Sequence, residues 1–478
     1  MPPTSGERIT SIRGIKLPGS SAIWDIKVDF PSDSPQGRIT SITPHDSITS
    51  SSADLPRSGS DKDTQTRTQT PLVLPSLVHP HIHLDKAFIH SEPQYEHLLP
   101  VSGSFHEALS FTAAAKELFT LPDLIKRGEW LLAESVCAGV TAMRAFVEVD
   151  HVVKLTCVEA AVTLKKKWSE NCEIQIVCFA QDPIFSTEHA GQNLSYIEEA
   201  LEKYSEIEVI GTTPYVETSV EKSKQNIEWA ITRAMQLDKH VDFHLDYNLD
   251  EGKEALVWHV LHTLIRCGWN RQSTSRQIML GHCTRLTLFT KEEWTQIAHL
   301  IKSNDLPVTF VGLPTSDLYM ASPPPTSTST STTGQTRVRG TLPVPDLIRD
   351  HGLDAVIGVN NLGNAFTPWG TADPLFLACL GVGIYQSGTR ADAELLYECV
   401  STRARAAIGL GKDGSDCRSS VGLRVVEDQC PNLVLFYDRD MSKCGVSRPQ
   451  RSVADIVWNP PSFSSRDVVF EGRMKKNF

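Results

Sequence analysis

Short stretches of alternating apolar and polar residues open the chain, and residues 9–17, 22–30 and 38–43 read as strands separated by turns. Residues 49–70 are rich in Ser, Thr and Asp and read as a flexible loop. An apolar run from Leu72 to Val78 then leads into His79-Pro-His-Ile-His83. Beyond it, apolar strand-like runs alternate with helical stretches. Seven further strands are predicted over 141–147, 174–179, 209–215, 240–246, 277–282, 307–313 and 355–359. Helices are predicted over 193–204, 220–237, 251–267 and 291–303, among others. Thr120-Leu-Pro-Asp123 is a helix start with Thr120 as N-cap, and Gly139 ends that helix near Ala138. Eight strand-then-helix units in succession predict an α/β fold, the (β/α)8 TIM barrel. A doubly wound open sheet would scatter the histidines found at strand ends; a barrel gathers those ends on one face.

Residues 322–336 form a second low-complexity stretch, expected as a mobile loop over the barrel mouth. Helices near 372–386 and 391–408 follow, and then strands at 431–436, 455–458 and 467–470.

Composition narrows the class. A chain of 478 residues accommodates one large barrel and an accessory unit, and 40% hydrophobic residues describe an ordinary globular protein. A net charge of −11 argues against nucleic acid or an anionic membrane as partner. No apolar run reaches the roughly 18 residues of a membrane span, and the N-terminus lacks a signal-peptide core. The 11 cysteines are scattered without a Cys-x-x-Cys pair, which disfavours disulfides and cysteine zinc sites. A cytoplasmic location is expected.

The candidate chemistry starts at His81 and His83. Residues two apart on an extended chain face the same side, so both imidazoles can address one metal ion; a merely polar strand end is the plain alternative. The run Pro-Ser-Leu-Val-His-Pro-His-Ile-His-Leu-Asp-Lys86 resembles the first-strand signature of the amidohydrolase superfamily, in its cytosine deaminase-like branch, as a divergent fungal-type member. The resemblance implies a small β-sandwich built from both chain ends. The domains expected are then 1–70 (sandwich and loop), 71–415 (barrel) and 416–478 (the rest of the sandwich).

It also implies one divalent metal ion, zinc or iron, held by His81, His83 and His244. His282, ending strand six, matches the histidine that assists proton transfer from water. Gln181 matches a glutamine that binds the substrate ring, and its amide offers both donor and acceptor. Lys86 matches a lysine of a related aminohydrolase and would orient a carbonyl or carboxylate; a salt bridge to Asp85 is its plain alternative.

Two positions depart from the family. Tyr247 stands where a proton-shuttling glutamate is expected, and a phenol with a reference pKa near ~10 is a poor base. Alternation along Val241–Asp246 makes Asp246 the nearest carboxylate aimed at the site, with Glu251 more remote. Asn360 stands where the family has a metal-binding aspartate. Pro368 and Trp369 are expected to shape the pocket rim, and His240, His259 and His262 to be structural or solvent-facing. The reading is metal-dependent hydrolysis of a C–N bond, by deamination or amide or ring hydrolysis, in a small, polar, cyclic nitrogenous substrate. The alternative, favoured by Tyr247 and Asn360, is a catalytically silent relative that binds a ligand or partner. A homo-oligomer stays open.

Overall fold

The computed structural model describes residues 6–46, 70–321, 339–410, 422–441 and 446–475. The expected loop at 322–336, and all of the 49–70 loop except residue 70, lie outside them. Eight strands pair side by side in chain order, all parallel: β1 Leu77–His83, β2 Val140–Glu148, β3 Glu173–Ala180, β4 Ile207–Thr212, β5 His240–Leu245, β6 Ile278–His282, β7 Val308–Gly312 and β8 Asp354–Ile357. Just beyond β8, Asn360 N–H donates to His81 O at 3.0 Å and Asn360 O accepts from His83 N–H at 2.8 Å. Those two bonds join the last strand to the first, giving the (β/α)8 barrel that the alternation of elements predicts.

The strands are largely buried on both faces because helices cover them outside while side chains fill them inside. β2 is buried at every position. The helix Leu121–Ala138 has the predicted ends, with Thr120 accepting from Asp123 N–H and Gly139 left-handed at φ 108°. The helical stretch 391–408 is two helices, Arg390–Cys399 and Thr402–Ala407. The break between them lets Val400 O accept from Val78 N–H and Ser401 Oγ donate to Ser76 O, which ties this turn to β1.

Strand β1 carries a feature that alternation alone misses. Its register against β2 slips by one residue between His79 and Ile82, around Pro80. Proline lacks the ladder N–H and is accommodated at such bulges, and one extra residue reverses the face. His79 therefore points outward to Ser135 Oγ, at 3.1 Å, while His81 and His83 point inward. Gly358 gives His81 its room, since a Cβ there would lie 2.9 Å from Leu313 and 3.1 Å from His81 Cβ.

The sandwich expected from both chain ends is one hydrogen-bonded sheet of eight strands. It runs in the order Glu7–Arg8, Arg473–Lys475, Arg466–Phe470, Leu433–Phe436, Leu72–Pro75, Ser11–Lys16, Ile23–Asp29, Arg38–Pro44. It closes over one core that includes Ile15, Ile26, Val28, Val73, Leu435 and Val469. The apolar run before the histidines is thus shared, 72–75 entering this sheet and 77–83 the barrel. The strand expected at 455–458 is instead a helix, Val453–Trp458. Ser452 accepts from Asp455 N–H, and this N-cap outweighs the strand preference of a short apolar run.

Arg466 locks sheet to barrel. It is 1% exposed, pairs with Asp373 at 2.6 Å, and donates to Ala138 O and Pro461 O. Removing one partner strands a buried charge. Arg466→Leu is expected to lower stability by about 3 kcal/mol, read as a fall in the denaturant midpoint of unfolding; an unchanged midpoint would show that the clamp is dispensable.

Candidate active site

Three imidazoles meet at the C-terminal end of the barrel. His244 Nε2 lies 3.2 Å from His81 Nε2 and 3.1 Å from His83 Nε2. All three side chains are buried, and burial is the largest cause lowering the pKa of each. Three neutral imidazoles with their Nε2 atoms this close form a donor set that suits a divalent cation when each turns a lone pair to it. Asn360 supports the same reading. It is left-handed at φ 65°, a conformation asparagine tolerates better than most residues, and its Nδ2 donates to Ser316 Oγ at 2.8 Å. Its Oδ1 is buried and has no hydrogen-bond partner among the described residues.

A small cavity opens at this cluster, lined by His83, His244 and Asn360 together with Gln181, Tyr247 and His282. His282 ends β6 in a left-handed conformation, φ 64°, and its Nδ1 lies 2.8 Å from Asp317 Oδ1. Tyr247 stacks on the His282 ring with centroids 3.9 Å apart. Its hydroxyl donates to Ser316 O at 3.2 Å, and burial followed by Asp317 raises its pKa well above the usual phenol value. It is an aromatic wall that stays protonated.

Lys86 and Gln181 are also together. Lys86 Nζ donates to Gln181 Oε1 at 3.2 Å and pairs with Glu148 Oε1 at 2.5 Å, so its carboxylate partner is Glu148 and not Asp85. Glu148 Oε2 meets Lys116 at 2.9 Å, and Lys116 reaches Asp150 and Asp182. Burial alone would raise Glu148, but Lys116 and Lys86 overcome it and hold the group at about 2.

Asp246 does not join the group. Alternation holds only while the backbone stays extended, and β5 ends at Leu245 with Asp246 left-handed at φ 49°. Its carboxylate accepts from Leu256 N–H at 2.8 Å and Val257 N–H at 3.0 Å, at the start of the helix Val257–Cys267. That helix consequently begins at 257 and not at 251. Glu251 is exposed, and so is Trp369 at 39%, while Phe366 lines the cavity in place of Pro368 and Trp369. Asp317, Ser316 and Tyr215 escaped sequence reasoning. The only local signal was Leu313-Pro-Thr-Ser-Asp317, polar residues directly after the apolar β7.

No family model and no curated protein matches the chain. Among solved structures it is similar to 5-methylcytosine deaminase from Klebsiella pneumoniae, with TM-score 0.74, 18% identity and 98% of each chain covered. It is also similar to N-isopropylammelide isopropylaminohydrolase from Burkholderia multivorans, with TM-score 0.66, 18% identity and 97% of each chain covered. A third is an adenosine deaminase from Xanthomonas campestris with bound zinc, with TM-score 0.61 and 16% identity, covering 99% of this chain and 93% of the other. Two of these neighbours are deaminases and one is an aminohydrolase. At such identities the likeness establishes a shared fold.

His240 sits below the cluster in a structural setting, its Nδ1 accepting from Gln277 N–H at 2.9 Å. Burial, then Arg144 and Arg276, lower its pKa well below the usual value, against the neighbouring Asp238 carboxylate. A histidine depressed in the folded state binds its proton more readily when unfolded, so stability falls as pH drops through the unfolded value near ~6.5. His240→Gln, whose amide can accept the same bond, is expected to lose less melting temperature between pH 7 and 5 than the parent. Parallel pH curves would show that His240 carries none of the acid sensitivity.

Proposed function

We propose that this chain is a metal-dependent hydrolase that cleaves a C–N bond in a small, polar, cyclic nitrogenous compound. The observation that carries the reading is the convergence of the His81, His83 and His244 Nε2 atoms at the foot of a buried cavity. The structural neighbours include deaminases and an aminohydrolase, which supports the same reaction class and the cytosine deaminase-like branch.

His81, His83 and His244 would hold one divalent ion, zinc or iron, with Asn360 Oδ1 as the neutral fourth donor. Such an ion supplies Lewis-acid polarisation and makes water acidic enough to attack near neutral pH. His282, lining the cavity beside His244, accepts the proton of the attacking water and returns it to the leaving nitrogen. One group serves both transfers, because among the described residues no carboxylate lines the cavity. Gln181, its Oε1 taken by Lys86, presents its NH2 group to an acceptor on the ring. Lys86 stands behind it as a fixed positive charge, between the Phe179 and Phe366 rings at 5.6 Å from each. Tyr247 packs the ring face. Burial would exclude water once substrate enters.

The test is metal content of the purified protein beside ammonia or amine release from pyrimidines, triazines, hydantoins and N-acyl amides. Hydrolysis that disappears with chelator and returns with zinc or iron supports the reading. Ligand-induced stabilisation without turnover would favour the silent relative. His81→Ala and His83→Ala are each expected to lose bound metal, since each removes one of three nitrogen donors; near-stoichiometric metal in either variant would refute the site. His282→Ala is expected to keep its metal while kcat falls by about 10²-fold or more. Unchanged turnover would return His282 to a structural role.

A further inference from the structure

Asn360 stands where the resemblance calls for an aspartate, yet a carboxylate lies directly behind the cavity wall. Asp317 is fully buried on the short helix Pro314–Met320, next to Ser316. Ser316 Oγ accepts from Asn360 Nδ2, and Asp317 Oδ1 meets His282 Nδ1 at 2.8 Å. Two successive residues therefore hold the two polar groups on either side of His244.

The remaining bonds of Asp317 decide which way the proton lies. Leu313 N–H donates to Oδ2 at 3.2 Å, and Thr341 Oγ1 donates to the same oxygen at 2.7 Å. Oδ2 is occupied as an acceptor, and an ionised carboxylate leaves Oδ1 as an acceptor too. The His282 contact is then Nδ1–H donating to Oδ1, which leaves the imidazole lone pair on Nε2, the nitrogen left for the cavity.

We propose that Asp317 is a positioning residue: it holds His282 as the Nδ1–H tautomer with Nε2 bare, and supplies behind the histidine the negative charge that Asn360 does not supply at the metal site. In the hydrolysis, the water oxygen bonds to the substrate carbon as one of its protons passes to Nε2. The C–N bond then breaks as Nε2 gives that proton to the leaving nitrogen. Asp317 stays ionised throughout and balances the transient imidazolium. This inference rests on the proton-transfer role proposed for His282, but its first readout does not.

Asp317→Asn gives a directed test. The Leu313 N–H requires an oxygen at the Oδ2 position, which places the new amide NH2 against His282 Nδ1. Nδ1 must then accept, and the imidazole proton moves to Nε2. Long-range ¹H–¹⁵N correlation of histidine-labelled protein, with and without added zinc, reads the tautomer; His282→Gln assigns the signal. The expected result is Nδ1–H in the parent and Nε2–H in Asp317→Asn. With it, kcat falls about 10²- to 10⁴-fold while KM and zinc stoichiometry stay within about twofold. An Nε2–H tautomer in the parent overturns the proposal, and needs no variant that folds. An unchanged tautomer in the variant, or a flipped tautomer with unchanged kcat, overturns it as well. The expected tautomers with no turnover by the parent on any compound would sink the hydrolase reading while upholding the hold of Asp317 on His282.

Discussion

Two backbone hydrogen bonds at Asn360 carry a disproportionate share of this molecule's organisation. They fasten the residues after β8 to His81 and His83 on β1, and so turn a row of parallel strands into a closed barrel. Closure fixes the distance between side chains far apart in sequence, and the same residue that closes the ring aims its amide at the histidines. A left-handed asparagine at that point costs little, because its short polar side chain tolerates the conformation. Strain of this kind recurs around the cavity, at Asp246, His282 and Cys283, where strands end abruptly and side chains must turn.

Electrostatics are layered about the cluster. Beneath it, Arg144 meets Asp242 at 3.3 Å inside the barrel. To one side, Lys86, Glu148 and Lys116 form a chain of buried charges that ends at the partly exposed Asp182. Burying any one of these ions alone would be prohibitive, and each is tolerated because an opposite charge lies within 3.3 Å. The cations have their own carboxylates, so the three imidazoles in the middle face no ionised partner at close range except His81, whose Nδ1 is 3.7 Å from Asp242. Desolvation then wins, and the histidines stay neutral and fit to donate lone pairs.

The position of negative charge separates this chain from the family pattern it resembles. Asparagine stands at 360 and tyrosine at 247, where the pattern it resembles has an aspartate and a glutamate. The carboxylate that meets His282 is Asp317, one residue away from the Ser316 hydroxyl that holds Asn360.

Much of this was legible along the chain, for a local reason. Strand and helix periods are properties of neighbouring residues, so the eight repeating units, the Thr120 and Gly139 helix ends, and the inward pair His81 and His83 were all readable. So was the convergence of His244 and His282 on the same face, once the repeat implied a barrel. Other features depended on contacts between distant segments. Asp246 lies where alternation aims it inward, but the amides at 256 and 257 were a stronger partner and drew it out. Lys86 sits beside Asp85 in sequence, yet its partner Glu148 comes from β2. Val453–Trp458 has the composition of a strand and became a helix, because Ser452 capped it. Asp317 had no recognisable motif, since its meaning lies in a hydrogen bond to a residue 35 positions away. Periodicity is written in sequence; the pairing of buried polar groups is decided only when the folded chain settles which donors and acceptors water no longer reaches.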